Sequence, residues 1–296
     1  MSNIEKTMEQ IFDVEPFNGN PNIDQDKRVT VFPPANTPIE PDLKSDLVDA
    51  YEQSKDNLQE LRVTGGEPSR SPHFWRLLDE CKNVNFDFAT NSNLIMTDER
   101  LDKLINVAKE FRNFDLYTSC ESYGKHAEFV RHGLNYDKWK HNMLRFAREA
   151  QYRNIHVMMT ISALSVWTVK DFMLDILELR KQFDRKDIFS MSLNILRFPS
   201  FQSPLVLPDE LRTQFRDRIG QFMVNHKGSS YLHEHEWNHL SRLVNYLDVV
   251  KTPHSDAFEL PKLRADFKNF YAQYDQRRGK NFRETFPIIG AWYQTL

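Results

Sequence analysis

The stretch that decides the fold is LRVTGGEPSR, residues 61–70, in which a short apolar run ends in two adjacent glycines, a carboxylate and a proline. Gly65 and Gly66 are two of only 9 glycines in the 296 residues. Glycine permits positive φ angles and lets a ligand touch bare backbone. A helical pattern begins at Pro72, so the stretch predicts a strand, a tight turn and a helix, with Glu67 at the carboxyl end of the strand.

The same pattern recurs along the chain, because further apolar segments end in small or polar residues and lead into helical patterns. The five segments are LQELRVTGGEP, VNFDFATNSN, FDLYTSCES, IHVMMTISAL and IFSMSLNILRFP. The intervening helices are predicted at residues 72–82, 98–111, 136–152 and 168–183. Strands that alternate with helices of this length form βαβ units. We therefore predict an α/β fold with a parallel sheet that curls toward a barrel.

Polar residues follow each predicted strand. They lie at Thr64–Glu67, Asn91–Asn93, Thr118–Glu121, Thr160–Ser162 and Asn194–Arg197. The carboxyl ends of parallel strands share one rim, and in βα-barrels that rim carries the active site. Strand ends also meet loops, which are polar for purely structural reasons. Both interpretations of the polar rim stay open at this point.

The chain divides into three predicted regions: an irregular lead-in at 1–41, the barrel at 42–204 and a helical extension at 205–296. A short helix is predicted at Ile4–Phe12, a brief strand at Arg28–Phe32 and a helix at Asp42–Lys55. In the extension, helical patterns cover 208–225, 231–250 and 260–275, with no strand between them.

Composition limits the class of protein. Apolar residues make up 40% and charged residues 27%, as in globular proteins, and no run reaches the roughly 18 apolar residues of a membrane span. The formal charge of −3 gives no strong signal for nucleic-acid binding. The only two cysteines, Cys81 and Cys120, exclude a disulfide framework, so we expect a cytoplasmic protein.

Several stretches in order resemble the radical SAM superfamily, and more narrowly its phage-associated, twitch-domain proteins. They are LRVTGGEP, FATNSNL, LYTSCESYGKHAEFVRHGLNYDKW, MMTISALSV and RRGKNFRETFP, and they run from about Asp42 to the C-terminus. The resemblance implies a partial (β/α)6 TIM-like barrel of five parallel strands that binds S-adenosylmethionine (SAM) at its rim. It also implies that Gly65, Gly66 and Glu67, followed by Pro68, hold the methionine amino group.

The resemblance implies further contacts with the cofactor. Asn91, Ser92 and Asn93 would reach the ribose or the carboxylate. Ser119 and Glu121 would face the ligand, and Arg131 would pair with the SAM carboxylate or with substrate. A surface helix arginine without a ligand is the alternative for Arg131. An ammonium group favours such a cluster of carboxylate and carbonyl oxygens in a cleft.

The sequence lacks the cysteine motif that defines the family. Radical SAM chemistry uses a [4Fe–4S] cluster held by a CxxxCxxC loop, and this sequence contains no such loop. Cys81 and Cys120 belong to neither that motif nor an auxiliary cluster site. Three explanations stay open: a fragment or split-gene product whose cluster-bearing segment lies on another chain, a cluster-free relative that still binds SAM or a nucleotide-like ligand, and a barrel used for something unrelated.

Residues 235–239 read HEWNH, a formal HExxH motif. On a helix, His235 and His239 would share a face as zinc ligands, with Glu236 as general base. A third ligand would have to be His254 or Glu259, neither at a recognised spacing. The apolar positions of this helix lead us to expect both histidines on its polar side. A zinc metalloprotease is therefore the less favoured alternative, and we predict no metal ligand in this chain.

Overall fold

The structure is a computed structural model, which describes residues 59–81, 86–185, 187–248 and 260–296. A sheet of five parallel strands dominates the described part, with the strands in sequence order from β1 to β5. The strands are β1 Glu60–Val63, β2 Asp87–Ser92, β3 Asn113–Ser119, β4 Asn154–Ile161 and β5 Phe189–Ile195. This confirms the predicted α/β class and all five strand segments.

Helices connect successive strands and continue after the last one. Between strands lie α1 Pro72–Glu80, α2 Asp98–Ala108, α3 Gly124–Val130, α4 Tyr136–Glu149 and α5 Val169–Gln182. After β5 come α6 Asp209–Asn225, α7 Glu234–Asp248, α8 Leu260–Arg278, α9 Phe282–Thr285 and α10 Pro287–Tyr293. Single 3₁₀ turns occur at Pro68–Arg70, Val166–Thr168, Ser200–Gln202 and Pro204–Val206.

Helix ends differ from the predicted bounds by a few residues. Helix α4 ends at Glu149 rather than at residue 152, because Ala150 adopts an extended conformation. Helix α7 begins at Glu234 rather than at 231, since Ser229 and Leu232 form turn hydrogen bonds instead. None of the described helices has the length and apolar character needed to cross a membrane.

The helix-facing side of the sheet forms the core. Phe88 on β2 stacks on Phe111 with ring centroids 4.7 Å apart, and Phe114 on β3 lies 5.9 Å from Phe146 of α4. Alternate residues of a strand point to opposite faces. The alternating positions, among them Asn91, Tyr117 and His156, therefore face the opposite side of the sheet, called here the concave face, and these three side chains are half-buried.

The chain divides into two compact units. The one that contains the sheet is Leu58–Lys268 with Asn281–Leu296. The elements predicted at Ile4–Phe12, Arg28–Phe32 and Asp42–Lys55 lie outside the described residues. The three-region division at 1–41, 42–204 and 205–296 stays a prediction.

Candidate functional site

The polar segments predicted to share a rim do follow the carboxyl ends of neighbouring parallel strands. The strands end at Val63, Ser92, Ser119, Ile161 and Ile195. Because all four strand pairs are parallel, these ends lie along one edge of the sheet. The rim therefore brings the candidate residues after β1, β2 and β3 to the same end of the molecule.

The Gly65–Gly66 turn exposes main chain at this rim. Gly65 has a φ of +136°, a backbone angle that residues with a side chain rarely adopt, whereas Gly66 has no positive φ. A Cβ built on either glycine would meet nothing within 4 Å, so open space lies beside both. A ligand can approach this backbone closely.

The Glu67 carboxylate is held by three donors. Oε1 accepts hydrogen bonds from the hydroxyls of Ser69 (2.6 Å) and Ser92 (2.9 Å), and Oε2 accepts one from the Asn93 N–H (2.6 Å). Pro68 starts the 3₁₀ turn that places Ser69. Glu67 thus ties the turn after β1 to the end of β2. A carboxylate offers about four acceptor positions, so one of them has no donor among the described residues.

The three residues Asn91, Ser92 and Asn93, at the end of β2 and just after it, have different roles. The buried Ser92 hydroxyl also accepts from the Leu94 N–H (3.0 Å), and the Asn93 side chain accepts from the Ile95 N–H (2.8 Å). These two side chains shape the turn. Asn91 is half-buried on the concave face, and its side-chain amide makes no hydrogen bond with any residue that the structure describes. Asn91 is therefore the member best placed to meet a ligand.

Glu121 and Arg131 form a bidentate pair after β3. The Arg131 Nε donates to Glu121 Oε2 at 2.8 Å, and its terminal nitrogen donates to Oε1. Burial alone would lower the pKa of Arg131, but Glu121, and to a lesser degree Glu67, raise it above its ordinary value. The charges of both carboxylates therefore stabilise the charged form of Arg131. Ser119, half-buried at the end of β3, completes this part of the rim.

The concave face carries a row of side chains that the sequence did not single out. Tyr117 on β3 stacks on His156 of β4, with centroids 4.3 Å apart, and the Arg62 guanidinium donates to the Tyr117 hydroxyl at 3.3 Å. Burial lowers the pKa of His156, the charge of Asp115 opposes this shift, and the nearby Arg153 and Arg62 lower the pKa further. The available signal was the alternation that places Tyr117 and Ser119 on one face of β3 and His156 between the apolar Ile155 and Val157 of β4.

The two thiols do not fit an iron–sulfur cluster. Cys81 follows α1 and Cys120 follows β3, and both are fully buried. Cys120 donates to the Ser122 carbonyl at 3.3 Å, and burial raises the pKa of its thiol, which disfavours the thiolate that ligates iron. The described residues also contain no group of three or more His, Cys, Asp or Glu side chains able to hold a metal.

The HExxH segment has a different environment from the one expected. Glu236 is fully buried, bonded to Arg180 at 2.9 Å and to the Met191 N–H at 2.9 Å. His239 Nδ1 accepts from the Leu193 N–H at 3.1 Å. The expectation that both histidines lie on a polar outer face is therefore wrong for His239. His235 is 48% exposed and lies 3.3 Å from the Ser190 hydroxyl.

Together these contacts cover the free edge of β5. An edge strand leaves main-chain groups without partners. In this chain Glu236 and His239 accept from Met191 and Leu193, while Arg242 donates to the Leu193 carbonyl at 2.7 Å. Arg180 donates to the Phe189 carbonyl at 3.1 Å. Side chains of α7 and α5 thus take the hydrogen bonds that a sixth strand would take.

Comparison with known proteins finds similarity to solved structures. No protein-family model matches the sequence, and no curated protein matches it. The chain is structurally similar to SuiB from Streptococcus suis. The structure of SuiB bound to S-adenosylmethionine aligns with a TM-score of 0.44 and 13% identity, over 62% of this chain and 41% of SuiB. A second structure of SuiB aligns with the same TM-score and identity, over 63% of this chain and 41% of SuiB. The structure of SuiB bound to the precursor peptide SuiA also has these values, over 62% of this chain and 40% of SuiB. The chain thus spans about two fifths of the length of SuiB.

Proposed function

We propose that this chain is a radical SAM-like protein that binds S-adenosylmethionine at the carboxyl rim of its sheet. The observation that carries the proposal is the position of Glu67. Its carboxylate is fixed by Ser69, Ser92 and Asn93 beside a glycine turn whose backbone faces open space. A pre-positioned carboxylate with an unused acceptor position suits an ammonium group.

Each candidate residue has a role in this proposal. Glu67 and the carbonyls of Gly65 and Gly66 bind the amino group of the cofactor. Asn91 and Ser119, both half-buried, offer polar groups to the ribose or the carboxylate. Arg131 stays paired with Glu121 and adds positive charge near the carboxylate end. Ser92 and Asn93 act indirectly, because they hold Glu67 in place.

The cofactor chemistry depends on an external electron source. In radical SAM enzymes the cluster reduces the bound sulfonium, but the buried Cys81 and Cys120 do not fit such a cluster. Radical chemistry at this rim therefore requires thiolates from outside this chain, such as a cluster-bearing partner. The burial of both thiols also favours a second candidate function, a cluster-free module that binds SAM or a nucleotide-like ligand.

Titration calorimetry with SAM tests the proposal. Glu67→Ala should weaken SAM binding by about 1–3 kcal/mol, the usual loss for a charge-assisted hydrogen bond. Ser92→Ala is the matched control, because it removes one of the hydrogen bonds to Glu67 and leaves the carboxylate charge in place. We expect Ser92→Ala to cost less than half as much affinity as Glu67→Ala.

Two results would contradict the proposal. Equal SAM affinity in the wild type and Glu67→Ala would remove Glu67 from the site. Equal losses in Glu67→Ala and Ser92→Ala would mean that Glu67 acts only by bracing the end of β2. A calorimetric competition experiment, in which SAM is titrated into protein that already contains ATP, distinguishes a SAM site from a site for nucleotides in general.

A further inference from the structure

A positively charged groove lies between α1 and α2, on the outer side of the sheet. Its volume is about 670 Å³, within the range of roughly 300–1,000 Å³ typical of ligand pockets. Four cationic side chains line it, against two carboxylates. The cations are Arg70, Arg76, Arg100 and Lys103, and the carboxylates are Asp79 and Glu99. The whole chain has a formal charge of −3, so this positive excess is a local property.

The cations of the groove differ in how far they are neutralised. Arg76 pairs with Glu80 at 2.8 Å, and Lys103 lies 3.4 Å from Asp79. Arg70 and Arg100 are exposed, and neither makes a hydrogen bond or ion pair with residues in the described part of the chain. Two guanidinium groups are thus available for an incoming anion. Arginine binds carboxylates in a bidentate manner.

The groove also has a fixed aromatic wall. The Trp75 indole N–H donates to the Ser69 carbonyl at 2.8 Å, and its ring packs edge-on against Phe74 with centroids 5.2 Å apart. Lys103 lies over the same ring, 5.0 Å from its centroid. A rigid tryptophan next to arginine is the combination found at energetically important positions of protein interfaces.

We propose that this groove is a docking site for an acidic peptide segment of a partner protein. Clusters of arginine are a recurring means of recognising acidic motifs. A peptide fits better than a nucleic acid, because Asp79 and Glu99 lie among the cations and would repel a continuous phosphate backbone. Carboxylate side chains on a peptide can instead be spaced to meet Arg70 and Arg100 alone.

Fluorescence anisotropy with a labelled, Glu-rich synthetic peptide tests this site on the full chain. The double variant R70A/R100A should bind the peptide about tenfold or more weakly than the wild type. The control R185A/R216A removes the same number of positive charges from ion-paired positions outside the groove and should bind within about twofold of the wild type. R70K/R100K retains the charges and should recover part of the affinity.

Three outcomes would overturn the inference. One is an equal loss of affinity in R70A/R100A and R185A/R216A, which would indicate attraction to overall charge. Another is tighter binding of a single-stranded oligonucleotide than of the peptide, with the same dependence on Arg70 and Arg100. The third is an absence of saturable peptide binding at low ionic strength. None of these measurements uses SAM, so the rim proposal is tested separately.

Discussion

The Arg180–Glu236 pair is the most deeply buried charge interaction described, with both side chains 0% exposed. Burial alone would raise the pKa of Glu236. The hydrogen bonds and the positive charge of Arg180 lower this pKa below its ordinary value, and so do the hydrogen bonds from the N–H groups of His233 and Met191. A buried ion pair is costly to break because one partner is left charged without a counterion. This pair therefore links helix α7 to helix α5 through electrostatics as well as packing.

Replacing Arg180 by methionine should destabilise the protein by about 3–5 kcal/mol at neutral pH. The neighbouring Lys181, 56% exposed and 3.9 Å from Glu178, provides the control, and Lys181→Met should cost at most about 0.5 kcal/mol. Urea unfolding monitored by circular dichroism measures both. Similar losses of unfolding free energy in the two variants would contradict the conclusion that the buried pair contributes more to stability than an exposed one.

The pH dependence follows from the direction of the Glu236 shift. Because the folded protein lowers the pKa of Glu236 below its ordinary value of 4.5, the pair contributes its full stability above that value. The contribution is lost as the pH falls through the lowered folded pKa. The difference in stability between the wild type and Arg180→Met should therefore shrink in acid.

At the scale of elements, α7 takes the place of a missing strand. Glu236, His239 and Arg242 recur every three residues along one face of the helix and bond to alternate main-chain groups of β5. Helical spacing brings such positions to one face. The HExxH match thus has a structural explanation, since Glu236 and His239 of the motif serve as hydrogen-bond acceptors for the edge of β5.

Protonation of His239 should loosen this edge. Burial lowers the pKa of His239 below its ordinary value of 6.5, and the charges of Arg242 and His235 lower it further, against an opposing effect of Glu236. Strand β5, FSMSLNI, adds no ionisable side chain. The neutral ring accepts the Leu193 N–H, so this stabilisation is present above pH 6.5 and is lost as the pH falls through the lowered folded pKa.

Amide exchange of Leu193, corrected for its intrinsic pH dependence, measures this effect. In the wild type we expect protection to fall by about fivefold or more as the ring protonates, the equivalent of roughly 1 kcal/mol for one hydrogen bond. His239→Gln keeps an acceptor that does not titrate and should show a flat profile. Identical pH profiles for Leu193 in both proteins would exclude the imidazole as the cause.

On the scale of the whole molecule, the sheet presents a polar rim and a polar concave face without the thiolates of a redox cluster. Anaerobic reconstitution with iron and sulfide should therefore yield no stable [4Fe–4S] species from this chain alone. Absorption and electron paramagnetic resonance spectra report the outcome, with a Cys81→Ala/Cys120→Ala variant as control. A cluster spectrum that depends on these cysteines would show that their burial does not prevent ligation.

Local sequence patterns predicted much of this architecture. Apolar runs bounded by glycine, proline and polar residues located all five strands, and their alternation with helices predicted parallel pairing. Ends of helices were less predictable, because Ala150 adopts an extended conformation and Leu232 forms a turn hydrogen bond to Ser229, neither of which periodicity encodes. The SAM-contact roles of the rim residues stay predictions.

The sequence by itself determined the order of the strands and the single rim that gathers Glu67, Asn91 and Ser119, because period-two apolar runs and turn residues act locally. Only the tertiary structure decided the partners of those side chains. Glu67 bonds to Ser92 and Asn93, 25 and 26 residues away, and Glu236 bonds to Arg180, 56 residues away. Such hydrogen bonds depend on which distant main-chain and side-chain groups packing brings within about 3 Å, and no local pattern specifies that.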